Sequence, residues 1–447
     1  MNSFYILLGL YALAGTGISM AVMRRNRSQN DYFVGGGAIG WVVSAMTYAA
    51  TTYSAFMMVG LVGLSYATGV GALVFELVYL VATVLLLSVY GGRIWDLARR
   101  NDLVSPMELL GLRYGDRSAQ LGTVIAAVAL IPYTAVQVIG LAVILEGFGM
   151  AFSTGVLFAV VVIGLWALLG GLRGVAITDA LQGVFMLAVA TAALFWVGDR
   201  YGGMEFSTFP NQVWTPAFFV NLTLPWAFFA VTNPQVLQRV FILRRREDLS
   251  KMIILFTVFG AIYTLITTMV GFGAKAGTLA GLLPEVAQRD GVIVAVMEQM
   301  GRALAIPLAL SIVFASVSTA NSILLTLSSM FTRDVFRRRD STMAGRMVIV
   351  VLTVLVGLFA LTRPSTLVEL SVASSRILLV FLPLLFGIFH VPAAGRVAGL
   401  ATMGVGVVAA ITLGILLPAH SSVATLAVVI VLFTLGTIAD RRITRSG

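Results

Sequence analysis

The chain has 447 residues, of which 59% are hydrophobic and 11% are charged, and its net charge is +10 at pH 7. This composition excludes a soluble globular protein, in which roughly a quarter of residues are charged, and predicts a polytopic membrane protein. The basic residues fall in short connections between apolar stretches, so the positive charge indicates topology rather than binding to nucleic acid. The lack of cysteine excludes disulfides, thiolate metal sites and thiol catalysis.

Thirteen apolar stretches approach or exceed the roughly 20 residues that a helix needs to cross a bilayer. The first has no small-residue cleavage site and is followed by arginines, so we expect a retained span rather than a signal peptide. We number the predicted spans 0 to 12, in chain order: 3–23, 39–67, 70–92, 118–148, 152–170, 175–198, 216–243, 250–274, 291–332, 345–362, 366–389, 393–418 and 421–439.

The connections between these spans are too short to hold a soluble domain, so residues 1–447 are expected to form one transmembrane domain. Most of the 29 Lys and Arg residues lie on one side if the N-terminus is outside. The positive-inside rule therefore predicts a multi-pass protein of the cell membrane with an outside N-terminus and a cytoplasmic C-terminus. This topology assigns Arg239 to an inside loop and leaves Arg376 as the one cation within a span.

Two predicted spans carry residues that interrupt helices in the middle. Span 1 contains Thr51-Thr52-Tyr53-Ser54, and span 6, five spans later, contains Val231-Thr232-Asn233-Pro234. Loosened backbone groups are tolerated at membrane depth only where they line a cavity within the protein. Interruptions at matching positions of two halves indicate a transporter with inverted repeats and a site at the breaks. Ordinary kinks are the alternative, because proline is common in membrane helices.

Span 8 contains a polar stretch, Ala315-x-x-Ser318-Thr319-x-Asn321-Ser322. Hydroxyls three and four residues apart share one face of a helix and can point at a common centre. Such a centre suits a small cation. The alternative is that each hydroxyl bonds back to a carbonyl of its own helix, as is common in membrane helices.

Four stretches in order along the chain resemble the motifs of one family. They are Asp31-Tyr32-Phe33 with Gly40-Trp41, Gly170-Gly171 through Val175 and Thr178-Asp179 to Gln182, Asn233 to Arg239, and Ala315 with Ser318-Thr319. Together they resemble the solute:sodium symporter family. The resemblance implies an all-α, leucine-transporter-type fold with discontinuous spans 1 and 6. Two inverted five-helix repeats would occupy spans 1–5 (39–198) and 6–10 (216–389), with 3–23 and 393–439 peripheral.

The resemblance also implies sodium as the transported coupling ion. Carbonyls of Ala50, Tyr53 and Ala315 and hydroxyls of Ser318 and Thr319 would bind it, and a hard cation prefers such oxygens. A second sodium position would use Asp179, Ser318, Asn321 and Ser322. Asp179 could instead cap a helix or pair with Arg173.

The substrate is expected at the breaks of spans 1 and 6. The candidate contacts, each of which could equally be packing, are Thr52, Ser54, Phe56, Met57, Tyr133, Gln137, Trp226, Phe229, Asn233 and Arg376. An arginine inside a span is expensive, so Arg376 is expected to face the cavity and bind a substrate carboxylate. Its alternatives are a structural pair with Glu76 or Glu369, or an outward-pointing side chain.

The expected function is therefore sodium-coupled symport of a small organic solute by alternating access. The similarity of span 1 to organic-acid, pantothenate and proline carriers favours a monocarboxylate, a pantothenate-like acid or an amino acid. A proton-coupled carrier that uses Asp179 is the alternative. A channel is disfavoured by the broken helices, and an enzyme by the lack of a catalytic constellation. The sequence gives no oligomeric state.

Overall fold

The computed structural model describes residues 2–339, 342–364 and 367–446. The described part is all-helical, with no β-strand. Residue 366, the first of predicted span 10, lies outside it. The helices are α1 Asn2–Met23, α2 Gln29–Val34, α3 Trp41–Thr52, α4 Phe56–Thr68, α5 Gly71–Arg100, α6 Pro106–Tyr114, α7 Asp116–Gly147, α8 Phe152–Tyr201, α9 Pro216–Ala227, α10 Phe229–Thr232, α11 Pro234–Phe241, α12 Asp248–Leu279, α13 Val292–Gln299, α14 Arg302–Val335, α15 Met343–Leu361, α16 Leu367–His390, α17 Arg396–Leu416 and α18 Ser421–Ser446.

Within the described ranges, ten helices are long and apolar enough to cross a membrane, or eleven if α3 and α4, bent by 50°, form one span. The multi-pass membrane architecture is confirmed, whereas the count of thirteen stays a prediction. The difference lies in two regions. Predicted spans 4 and 5 form the single 50-residue helix α8, and predicted span 6 is divided among α9, α10 and α11.

Helix α8 contains a sharp break at Gly171, whose backbone angles are φ 56° and ψ −168°. A Cβ atom at this position would lie 2.8 Å from the carbonyl oxygen of Tyr32, so only glycine fits. A straight helix of this length would extend for about 75 Å, far beyond the hydrocarbon thickness of a bilayer. The break therefore lets the two halves of α8 take different directions.

The long helices differ in how deeply they are buried. In α7 and α14, 78% of the most apolar window is buried, compared with 22% in α1 and 28% in α17. Helix α14 packs against α8, α7 and α3, so its polar stretch lies at the centre of the molecule. Helices α1, α17 and α18 present most of their surface outward.

The two interrupted regions meet through their backbones at one end. The amide of Ile39, just before α3, donates to the Ile242 carbonyl at 3.1 Å, and Arg244 N donates to the Ile39 carbonyl at 3.0 Å. The indole of Trp95 donates to the Leu243 carbonyl at 2.9 Å. These bonds join the start of α3 to the segment after α11 and to the end of α5.

Candidate functional site

Helix α3 ends where the sequence placed a break, and its end meets the polar face of α14. The Ala50 carbonyl accepts hydrogen bonds from Ser318 Oγ at 3.1 Å and from Thr319 Oγ1 at 2.8 Å. Ser318 Oγ is also 3.1 Å from the Ala315 carbonyl. Four neutral oxygens, two carbonyls and two hydroxyls, therefore converge between α3 and α14.

The end of α3 explains why the Ala50 carbonyl can take these bonds. Tyr53 leaves the helical conformation, with φ −88° and ψ 85°, and its amide still bonds to the Ala49 carbonyl at 2.7 Å. The last carbonyls of a helix have no partner in the next turn, so Ala50 is open to side chains of α14. The tyrosine ring of Tyr53 packs away from this cluster, stacked at 5.7 Å on Phe256.

Ser318 bonds back to its own helix, which is the expected alternative to cation binding, and it also reaches across to α3. Thr319 bonds across to α3. Sodium prefers oxygen ligands, and weakly charged ligands suit an ion that must be released. Within the ranges that the structure covers, no group of three His, Asp or Glu side chains could hold a metal. The four oxygens that converge between α3 and α14 are all neutral.

A second polar cluster lies beside the first and includes Asp179. The carboxylate Oδ2 accepts a hydrogen bond from Thr47 Oγ1 at 2.5 Å, and its Oδ1 has no partner among the described residues. Asn321 Oδ1 is also buried without a described partner. Arg173, the expected partner of Asp179, instead donates to the Gly35 carbonyl at 3.0 Å.

Arg239 does not lie in an inside loop, where the charge pattern predicts it. The structure buries its side chain completely in α11. Its guanidinium donates to Ser322 Oγ at 2.5 Å and to Thr51 Oγ1 at 3.3 Å. The reason is that α11 packs against α3 and α14 after the break, which keeps its last turn inside the bundle. The available signal was that Arg239 falls within 216–243, the range assigned to span 6.

A small closed pocket lies at the two breaks. Its volume is about 10 Å³, and seven residues line it: Thr52, Phe56, Glu76, Tyr79, Tyr133, Trp226 and Phe229. The structure thus brings together five of the candidate substrate contacts. Glu76 and Tyr79 were not expected there, although an isolated acidic residue in an apolar span was a signal that sequence reasoning had available.

Other candidate contacts hold the broken segments in place. Gln137 Oε1 accepts from the Ala55 amide at 3.3 Å, and Ser54 Oγ accepts from the Phe56 amide at 3.2 Å. Asn233 donates to Thr232 Oγ1 at 3.2 Å at the second break. Met57 is buried in the first turns after the first break. Gln137 and Ser54 thus satisfy backbone amides that the first interruption leaves open.

Arg376 does not join this group. Its Nη1 donates to Ser421 Oγ at 2.8 Å, at the start of α18 on the outer side of the bundle. Glu369, one of its expected partners, forms an ion pair with Arg289 at 3.3 Å. Glu76, the other, lines the pocket instead. Two larger cavities, of about 710 Å³ and 410 Å³, lie near Arg246 and Arg333 and include none of the predicted site residues.

The chain is similar to known transporters over most of its length. One curated relative is the sodium/pantothenate symporter of Escherichia coli (strain K12), which is 28% identical; the match covers 85% of this chain and 84% of the relative. Another is the osmoregulated proline transporter OpuE of Bacillus subtilis (strain 168), which is 25% identical; the match covers 82% of this chain and 79% of the relative. The sodium:solute symporter family model matches residues 32–406.

Solved structures give the fold. A Na⁺-coupled sialic acid symporter in a substrate-bound, outward-open state is 17% identical and covers 98% of this chain and 97% of its own, with a TM-score of 0.82. MHP1, a transporter of the nucleobase-cation-symport-1 family, is 14% identical and has a TM-score of 0.60. The match covers 92% of this chain and 93% of MHP1. Because the family model spans most of its length, the chain belongs to the sodium:solute symporter family, whose members are membrane transporters and not enzymes.

Proposed function

We propose that this protein carries a small organic solute across the cell membrane by sodium-coupled symport, with the N-terminus outside and the C-terminus in the cytoplasm. Sodium binds among the carbonyls of Ala50, Tyr53 and Ala315 and the hydroxyls of Ser318 and Thr319. The observation that carries this proposal is the convergence of both α14 hydroxyls on the Ala50 carbonyl at the end of α3.

The position of this site supports coupling by alternating access. Ala50 belongs to the proposed first repeat, 39–198, and Ser318 and Thr319 belong to the proposed second repeat, 216–389. An ion that binds oxygens of both repeats favours the conformation in which they are close. The solute pocket shares α3 with the ion site, since Thr52 is two residues from Ala50. Binding of the ion or of the solute therefore stabilises an arrangement of α3 that raises the affinity for the other.

We favour one sodium per solute. At the second position, Ser322 already accepts a hydrogen bond from Arg239, whose guanidinium also balances the nearby Asp179 charge. A fixed cation next to this position disfavours a second, mobile cation there. The argument for a second sodium is that Asp179 Oδ1 and Asn321 Oδ1 have no partner among the described residues. Measuring how many sodium ions enter per transport cycle would decide between one and two.

A proton-coupled carrier that uses Asp179 is the second candidate, because this carboxylate is buried at the centre of the bundle and bonded to Thr47. The two candidates differ in their driving ion. Uptake into proteoliposomes that depends on a sodium gradient, and persists when the pH is equal on both sides, supports sodium coupling. Uptake driven by a pH gradient in potassium buffer supports the proton.

The direct test of the ion site needs no known solute. A ligand that binds only the folded state raises thermal stability, so we expect NaCl to stabilise the purified protein more than KCl at equal ionic strength. Ser318→Ala should weaken this response. Ser316→Ala is the matched control, because the Ser316 hydroxyl bonds only to the Ile312 carbonyl of its own helix. Equal sodium responses in all three proteins would contradict the proposed site.

A further inference from the structure

The geometry points to a solute that carries an ammonium group with at least one N–H, which is recognised by Glu76 and the aromatic rings of the pocket. The solute would be a primary or secondary amine, in the form of an amino acid or an organic cation. The inference rests on the proposed function, since it assigns the substrate class of the same pocket.

Glu76 is a buried acid without a described partner for one of its oxygens. The residue is 2% exposed, on α5, and its Oε2 atom accepts no hydrogen bond from the residues that the structure describes. The indole of Trp226 lies beside its carboxylate. The lining of the pocket contains no lysine, arginine or histidine. A carboxylate in such a place is costly unless a cation or a proton joins it.

The rings around Glu76 form a surface that suits an organic cation. Trp226 lies 5.2 Å from Phe229 and 5.5 Å from Phe56, measured between ring centroids. Tyr79 stands edge-on to Phe229 at 5.7 Å. Aromatic faces attract an ammonium through their quadrupole, and the attraction grows where water is excluded. Rings alone would also accept an apolar solute, but the charge of Glu76 favours a cation.

The unpartnered carboxylate oxygen favours an ammonium that can donate hydrogen bonds. Thr52 and Tyr79 line the same pocket, and their hydroxyls lie close enough to interact with each other. Glu76 Oε2 has no hydrogen-bond donor among the described residues. A quaternary ammonium would leave this oxygen unsatisfied, at the cost that a buried polar atom pays without a partner.

Sodium is better placed at the Ala50 site than in this pocket. A small hard cation needs several convergent oxygen ligands, which meet at Ala50, whereas the oxygens of the pocket stand among the rings of Phe56, Trp226 and Phe229. The volume of about 10 Å³ has room for about one water molecule, so the rings must separate to admit a solute. Arg376 cannot supply an alternative charge preference, because it points to Ser421.

The experiment compares three amino acids with matched carboxylates that lack the amine group, and adds a simple ammonium ion and a quaternary ammonium compound. Purified full-length protein is screened by thermal shift in NaCl with L-proline and cyclopentanecarboxylate, L-alanine and propionate, L-leucine and 4-methylpentanoate, and with ethylammonium and glycine betaine. We expect stabilisation by at least one primary or secondary amine and by neither the matched carboxylates nor glycine betaine. Stabilisation by none of the amines, or equally by the matched carboxylates, would overturn the inference.

A variant ties the response to Glu76. Glu76→Gln keeps the size of the side chain and an oxygen beside Trp226, so the protein should fold with equal or greater stability in the absence of solute. The affinity for the active amine should fall by about a hundredfold or more, since one partner of a buried charged pair is lost. Glu146→Gln, which removes an exposed pair with Arg363, is the control. Unchanged amine affinity in Glu76→Gln would overturn the inference.

The outcomes separate this inference from the proposed function. A sodium response that Ser318→Ala weakens, together with a response to carboxylates alone, would leave sodium symport standing and exclude the ammonium. An amine response that depends on Glu76 but not on sodium would support the ammonium and contradict the coupling.

Discussion

The proposed ion site and the proposed solute pocket lie on the same broken helix but differ in chemical composition. Around Ala50 the groups are neutral oxygens that bond to one another. Around Glu76 there are several rings and a carboxylate whose Oε2 has no hydrogen-bond partner among the described residues. Neutral ligands let an ion bind and leave, whereas a buried carboxylate without a cation beside it selects strongly for the charge of the solute.

The largest effect is expected from the fixed cation beside the ion site. Arg239→Gln removes the guanidinium from Ser322 and Thr51 and leaves Asp179 without a nearby positive charge. We expect the free energy of unfolding to fall by about 1.5–3 kcal/mol for each of the two hydrogen bonds that lose their charged donor. Unfolding of the purified protein in denaturant measures it, with Arg173→Gln as a milder control.

The double variant Arg239→Gln with Asp179→Asn sharpens this test. Removing both charges should recover part of the stability, since coupled residues are not additive. Strictly additive losses would mean that Arg239 and Asp179 act independently, and the argument for one sodium would lose its basis.

The next effect concerns the neutral ligands. Ser318→Ala and Thr319→Ala should each raise the sodium concentration for half-maximal uptake by roughly five- to thirtyfold, which corresponds to about 1–2 kcal/mol for one lost buried partner. Sodium-dependent uptake in proteoliposomes measures it. Ser316→Ala should behave as the wild type. A wild-type sodium requirement in both variants would move the ion site elsewhere.

A smaller effect is expected in the shape of the sodium curve. With one sodium per cycle, the Hill coefficient should be near one in the wild type and should stay there in Asp179→Asn. The measurement is initial uptake rate against sodium concentration at fixed ionic strength. A wild-type coefficient near two that falls toward one in Asp179→Asn would establish the second position on Asp179, Ser318, Asn321 and Ser322.

The smallest effect is expected at Arg376. Because its guanidinium bonds to Ser421 rather than lining the pocket, Arg376→Ala should leave the half-saturating solute concentration within about twofold of the wild type. Uptake by well-folded variant protein measures it. A loss of affinity of a hundredfold would restore the carboxylate-binding role that the sequence suggested.

The breaks were predictable because they depend on local chemistry. A run of hydroxyl residues before Ser54 and a proline after Asn233 both weaken a helix, and the structure interrupts α3 and the α10–α11 region there. The same holds for the polar stretch from Ala315 to Ser322, because residues three and four apart lie on one side of a single helix. Such features need no knowledge of which helices are neighbours.

The errors concern directions and neighbours. Hydropathy locates Arg376 at membrane depth but does not say which way its side chain points, and it points to α18. A count of basic residues treats Arg239 as a loop charge, although the turn after the break carries it into the core. Glu76 was visible as an isolated acid, but only tertiary packing shows that rings and not arginines surround it.

The hydrogen bonds at Ile39 couple the movement of three chain segments. Ile39 makes two backbone hydrogen bonds, one to Ile242 and one to Arg244, and the Trp95 indole bonds to the Leu243 carbonyl. Three chain segments are therefore joined at one place. If α3 shifts at this end, the ends of α11 and α5 must shift with it. Otherwise the hydrogen bonds of Ile39 and Trp95 would break. In the proposed transport cycle, the start of α3, the end of α11 and the end of α5 would therefore move as one unit.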